Sequence, residues 1–182
     1  MSTTYTTKSG KEYEYYEKFN DTSKNLVLVS SDNLALRVDC TILRTSSSVF
    51  RSMFATCDTE GDQVHLPHTA ELLGLYIFAL DDRHLDLSNI TYETFQELLE
   101  ICIRYDTLSI GPQLFRKLTK IQEFDYTNGY ELVVLAAKFD DILTACRIIS
   151  KIGYEAYGRN SADKFWKTNN WERDIMNKLP ST

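Results

Sequence analysis

The period at which apolar residues recur changes abruptly after Asn25, and each change predicts an element. Leu26, Val27, Leu28 and Val29 form an unbroken apolar run closed by Ser30-Ser31-Asp32-Asn33, the composition of a turn. A strand is expected there, followed by a second over Leu34 to Val38. From Thr41 the spacing turns helical. Ile42 and Leu43 make one apolar patch, and Val49, Phe50, Met53 and Phe54 make another at i, i+1, i+4, i+5. Ser46, Ser47 and Ser48 lie between the patches. A serine hydroxyl accepts from free backbone N–H groups at a helix start, so this run predicts a junction between two short helices.

Helical spacing returns in Thr91 to Asp106, where Phe95, Leu98, Leu99, Cys102 and Tyr105 recur opposite Glu93, Glu97, Glu100 and Arg104, the pattern of a core-facing helix. Gly111-Pro112 then punctuates the chain before a short helix over Gln113 to Ile121. A helix pair follows, Tyr130 to Phe139 and Asp141 to Ile152, separated by Asp140-Asp141. Asn128-Gly129 supplies its start and Gly153 its stop, because glycine reaches the left-handed conformation that ends helices. Asn160 to Asp163 and Asn169 to Glu172 read as further helix starts, the second through an Asn-x-x-Glu capping box. Trp171, Ile175 and Leu179 share one face at i, i+4, i+8, so the tail is expected to fold back onto the body.

Residues 1–24 differ from the rest. Tyr13, Tyr15, Tyr16 and Phe19 are interleaved with Glu and Lys; Tyr13 with Tyr15 fits strand alternation, and Tyr13 with Tyr16 fits a helical turn. The segment is expected to be an arm that docks on something. The organisation read from the sequence is an arm over 1–24, a domain over 25–120 and a helical extension over 121–182.

At 182 residues the chain can bury one full core. A net charge of -6 and a pI near 5.1, with no basic run, argue against a nucleic-acid surface. The longest apolar window, Leu72 to Leu80, is too short to span a bilayer, and the first residues are polar where a signal peptide needs an apolar stretch. A soluble protein of the cytoplasm or nucleus, bound to neither nucleic acid nor membrane, is expected. Cys40, Cys57, Cys102 and Cys146 are scattered singly with no Cys-x-x-Cys pair and read as buried, reduced thiols.

The sequence offers little catalytic chemistry. His65 and His68 flank Leu66-Pro67 at a strand end, where positions i and i+3 point to different sides, so no metal is expected there. Asp81, Asp82, His84 and Asp86 read as a solvated connection between helices. No Gly-rich phosphate loop, Gly-x-Ser-x-Gly elbow or Cys/His pairing at a recognised spacing occurs, and the expectation is a protein without catalytic residues, metal or cofactor.

Taken along the chain, these residues resemble the BTB/POZ domain family, most closely its fungal members. Leu43, Ser47, Val49, Phe50, Met53 and Phe54 match the family's Leu-x-x-x-Ser-x-Val-Phe-x-x-Met-Phe helix pair, and Ser31-Asp32-Asn33 its Ser-Asp-Gly-like turn. Val64-His65-Leu66-Pro67 matches its third strand, leading into a helix over Glu71 to Ala79, and Ile103-Arg104-Tyr105-Asp106 its closing Lys-Tyr-Asp segment. The resemblance covers roughly residues 15 to 150. It implies an α/β (α+β) fold with a small three-stranded sheet, a helical cluster and a C-terminal helical extension.

The resemblance also implies a function: protein-protein interaction through a two-fold homodimer face on the first helix pair and the arm, with docking of a cullin scaffold or a role in transcription in some relatives. Tyr15, Tyr16, Ile42, Arg51 and Phe54 are the candidate interface residues. Two departures qualify the partners. Relatives that recruit corepressors place an Asp before the first strand and a basic residue after the His of the second, and this chain has Asn25 and Cys40 there, with Asp39 in place of the His. Cullin docking in relatives leans on a hydrophobic-x-acid motif after the second helix. Here Asp58 and Glu60 supply acids without a clear apolar residue two positions before. A small enzyme with a pocket between the domain and the C-terminal helices is the alternative reading.

Overall fold

The structure, a computed structural model, describes residues 4–56, 63–81, 85–118 and 129–157. The chain divides into two compact units, Met1–Thr107 and Leu108–Thr182.

The first unit is built on a sheet. β1 (Thr4–Thr6) and β2 (Glu12–Tyr15) form an antiparallel hairpin whose turn contains Gly10 at φ 84°, a left-handed conformation that suits a residue without a Cβ. β3 (Leu26–Val29) and β4 (Leu34–Val38) form a second hairpin, and Asn33 of its turn is left-handed at φ 61°. β5 (Gln63–His65) lies parallel to β3. Among the described residues the sheet therefore has five strands in the order β1-β2-β4-β3-β5, where three were expected from the resemblance. The difference comes from the arm. Its Tyr13/Tyr15 alternation is that of a strand, and β2 lies parallel to β4 with Glu14 opposite Leu34 and Tyr15 opposite Ala35.

Because successive strand residues point to opposite faces, the sheet has two different surfaces. Val27, Val29 and Ala35 meet Tyr13 on one face, with Tyr5 and Tyr15 packed at the margin. The Tyr13 ring reaches within 6.0 Å of the His65 ring, between strands that the sheet order separates by two others, so the sheet coils around it. Leu28 and Leu36, both fully buried, belong to the other face and to the helical core.

The helices follow the periodicity closely. α1 (Cys40–Ser46) starts on Asp39, whose carboxylate accepts from the Thr41 N–H at 2.8 Å. α2 (Ser48–Thr56) begins after the extended Ser47, at the junction read from the three serines. α3 (Ala70–Asp81) carries a side chain from another hairpin as its cap, since Asp32 Oδ1 accepts from the Ala70 N–H at 3.0 Å. α4 (Tyr92–Arg104) buries Phe95, Leu98, Leu99 and Cys102 as its spacing requires, with Thr91 as its N-cap.

In the second unit a 3-10 turn (Leu108–Ile110) leads into α5 (Gly111–Leu118), followed by α6 (Gly129–Lys138) and α7 (Ile142–Tyr157). Asp140 is left-handed at φ 55° and ends α6, while Asp141 accepts from the Thr144 N–H at 3.1 Å and starts α7. Gly153 does not stop the last helix, which continues to Tyr157, because a glycine inside a helix weakens it without obliging it to end. Cys57, the Asp82-to-His84 stretch, the helix starts at Asn160 and Asn169 and the Trp171-Ile175-Leu179 face lie outside the described residues. No described helix is long and apolar enough to cross a membrane.

Candidate interaction site

The α1 and α2 pair is held together at one buried serine. Ser47 is fully buried; its N–H donates to the Leu43 carbonyl, its hydroxyl accepts from the Phe50 N–H at 3.0 Å and donates to the Tyr105 carbonyl at 2.5 Å. One residue thus ends α1 through its backbone N–H, and its hydroxyl caps α2 and ties the pair to the end of α4. Phe50 is sealed beneath them, its ring 4.7 Å from that of Tyr105 and 5.8 Å from that of Phe54. The outward side of the pair is different. Ile42, Val49, Met53 and Phe54 are only half-buried, and Arg51 is exposed beside them. Arg51 is fixed rather than waving: its guanidinium donates to the Arg44 carbonyl at 3.1 Å and the Thr45 carbonyl at 3.4 Å, satisfying carbonyls that the end of α1 leaves open.

Of the five sequence-derived candidates, Ile42, Arg51 and Phe54 therefore share the helix pair, and the two tyrosines sit elsewhere. Tyr15 lies on β2, half-buried, and its hydroxyl accepts from Arg37 Nη2 at 2.6 Å and Nε at 3.1 Å. Tyr16 turns the other way, stacks on Phe19 at 6.1 Å, and rests against Gly74 of α3. A Cβ at Gly74 would come within 3.2 Å of both the Tyr16 and the Phe19 rings, so the absence of a side chain there is what lets the arm lie so close. Burial first, and then the neighbouring acids Glu17, Glu71 and Asp32, push the Tyr16 phenol above its ordinary value.

Asn25 and Cys40 face each other. Asn25 Oδ1 accepts from the Cys40 N–H at 3.0 Å and its amide donates to Cys40 Sγ at 3.1 Å. The two side chains thus satisfy each other across the start of α1.

A cleft elsewhere in the first unit was not legible in the sequence. A cleft of about 360 Å³ lies between the Pro67-His68-Thr69 segment and α4, with Leu72 and Ile101 as apolar lining and Glu97, Glu100 and Arg104 along one wall. The Ser31 N–H donates to the His68 carbonyl at 2.8 Å, which anchors this segment to the β3–β4 turn. His68 Nε2 is buried without a hydrogen-bond partner, and desolvation, with the Arg104 cation nearby, holds the imidazole below its ordinary pKa and therefore neutral. The Thr69 hydroxyl is committed to the Leu72 N–H, so it serves the start of α3. The cleft joins residues from a turn, a loop and a helix far apart in the chain, and no local spacing signals it.

His65, at the end of β5, lies against the Tyr13 ring, and His68, in the segment that follows, against the Tyr105 ring. Among the described residues no group of three or more His, Cys, Asp or Glu side chains could hold a metal ion. The cysteine expectation needs correction. Cys102 is buried, and burial pushes its thiol up to about 12, keeping it protonated and unreactive, but Cys40 is half-exposed and Cys146 exposed. Compared with protein-family models the chain matches none, and it matches none of the curated proteins searched.

Proposed function

We propose that the chain is a non-catalytic, BTB/POZ-like protein-protein interaction module that pairs with a second copy of itself and acts in the cytoplasm or nucleus. The observation that carries this reading is the half-covered apolar side of the α1–α2 pair, where Ile42, Val49 and Phe54 remain partly in water although Leu43 and Phe50 of the same helices are sealed. Removing such surface from water is favourable at about 25 cal/mol per Å². A patch that meets its own copy across a two-fold axis gains that twice. Arg51, held in a fixed pose beside the strip, is the kind of residue enriched at protein interfaces.

The order of elements supports the same reading. A β3–β4 hairpin, a short helix pair, and a third strand returning parallel to the first is the succession the resemblance implies. The proposed face centres on Ile42, Arg51 and Phe54. Tyr15 and Tyr16 contribute by fixing the arm to β4 and α3 of their own chain. A cullin scaffold is the adaptor-type partner the resemblance suggests, whereas the neutral Asn25–Cys40 pair argues against a charged corepressor peptide.

Sedimentation velocity over a wide concentration range tests the proposal. The wild-type chain is expected to sediment as a dimer, and Ile42→Glu as a folded monomer with unchanged circular dichroism. A wild-type monomer at every concentration would overturn the reading, and cullin capture by the dimer would extend it to ligase adaptors.

A further inference from the structure

The cleft between the Pro67-to-Thr69 segment and α4 is a groove and not an enclosed pocket. Sites for small molecules cover most of a ligand's surface, whereas Ser31, Pro67, Thr69, Glu97, Glu100 and Arg104 all stand exposed along this cleft. Leu72 and Ile101, at 5% and 1% exposure, lie beneath them as an apolar floor. One wall is fixed at both ends. The Ser31 N–H holds the His68 carbonyl at 2.8 Å, and Asp32 Oδ1 accepts from the Ala70 N–H at 3.0 Å, so the Pro67-to-Thr69 segment is tied to the β3–β4 turn. A wall already held in place loses little freedom when a ligand arrives.

The other wall carries charge in a definite order. Positions 97, 100, 101 and 104 follow the i, i+3, i+4, i+7 spacing of one helical face, so Glu97, Glu100 and Arg104 succeed one another along α4 with Ile101 among them. Along the helix axis Arg104 stands about 6 Å from Glu100 and about 10.5 Å from Glu97, at 1.5 Å per residue. Among the described residues no ion pair engages these three side chains, and Glu100 takes a hydrogen bond from Gln96 of its own helix at 3.2 Å. The wall thus presents two carboxylates at one end and a guanidinium at the other. The His68 imidazole is held neutral by burial and by Arg104, so it does not repel a cation drawn to the carboxylates. An extended peptide advances about 3.3 Å per residue, and side chains two residues apart share one side of it. Their separation of about 6.6 Å matches the Glu100-to-Arg104 span.

We propose that this cleft binds an extended segment of a partner protein that carries a Lys or Arg and, two residues away, an Asp or Glu, the base meeting Glu97 and Glu100 and the acid meeting Arg104. An apolar residue between the two charges suits Pro67 and the Leu72–Ile101 floor. The site shares no residue with the α1–α2 face and stands or falls separately from self-association.

Fluorescence anisotropy with two labelled, end-capped peptides tests the proposal on the full chain. Their sequences are Gly-Ser-Lys-Leu-Glu-Ser-Gly and Gly-Ser-Lys-Leu-Lys-Ser-Gly. Because the protein carries a net charge of -6, attraction through bulk charge alone favours the second peptide. The wild type is expected to bind the first saturably and to prefer it by about fivefold, the upper scale of one exposed ion pair. Arg104→Gln should level that preference and Arg104→Glu reverse it. Glu97→Lys with Glu100→Lys should weaken the first peptide by about fivefold or more. All three positions are exposed on α4, so circular dichroism should be unchanged in each variant. Absence of saturable binding of the first peptide, a wild-type preference for the second, a preference that survives Arg104→Gln, or binding indifferent to the paired Glu substitutions would overturn the proposal.

Discussion

Ser47→Ala should destabilise the first unit far more than the removal of one oxygen from a surface serine would. The hydroxyl is the N-cap of α2 through the Phe50 N–H, and loss of such a cap costs about 1 kcal/mol, within a range of 0.5–2. It is also the donor to the Tyr105 carbonyl in a site with no exposure, and a buried acceptor deprived of its donor costs about 1–3 kcal/mol. Together the loss is about 2–4 kcal/mol, a large share of the roughly 5–15 kcal/mol that holds a domain folded. Ser48→Ala is the control. Its hydroxyl donates to the Asp106 carboxylate in an exposed position, where substitutions typically change stability by about 0.5 kcal/mol or less. Urea unfolding followed by circular dichroism is the assay: the Ser47→Ala midpoint should fall with the slope unchanged, because the surface exposed on unfolding is the same. A Ser47→Ala midpoint equal to wild type, or a Ser48→Ala loss of equal size, would refute the reasoning.

Phe50→Ala should leave a cavity under α2 and cost about 3–5 kcal/mol, since the ring is fully buried against Tyr105 and Phe54; a thermal melt unchanged by the substitution would contradict that packing. Gly111→Ala should drive a methyl into the Phe139 ring and lower stability by about 1–3 kcal/mol, and restoration by the compensating Phe139→Leu would show that the clash is the cause. Stability should also fall as pH drops below the ordinary imidazole value near 6.5, because the unfolded chain takes up a proton there that folded His68, held low by burial, resists. The urea midpoint should be lower at pH 5.5 than at pH 7.5 in the wild type and nearly level in His68→Gln; a wild-type midpoint that rises on acidification would refute the sign.

What the sequence determined is what a few neighbouring residues decide. The Leu26-to-Val29 and Leu34-to-Val38 strands, the serine junction between α1 and α2, the Thr91 start of α4 and the Asp140-Asp141 break between α6 and α7 all rest on caps, turn residues and periods that act within one or two turns of chain. The apolar strip of Ile42, Val49, Met53 and Phe54 was visible for the same reason. Only the tertiary structure decided the parallel pairings of β2 with β4 and β3 with β5, and so the number of strands. It alone decided that Tyr15 would bind Arg37, that Asp32 would cap a helix 38 positions away, and that Ser47 would reach a carbonyl 58 positions on. Contacts of that kind are fixed by loop closure and by which faces pack together, and neither quantity is carried by local spacing. The same holds for Gly74 and Gly111: the first lies inside a helix expected from the sequence and the second reads as punctuation before one, and only the aromatic rings laid against them show why a side chain would not fit.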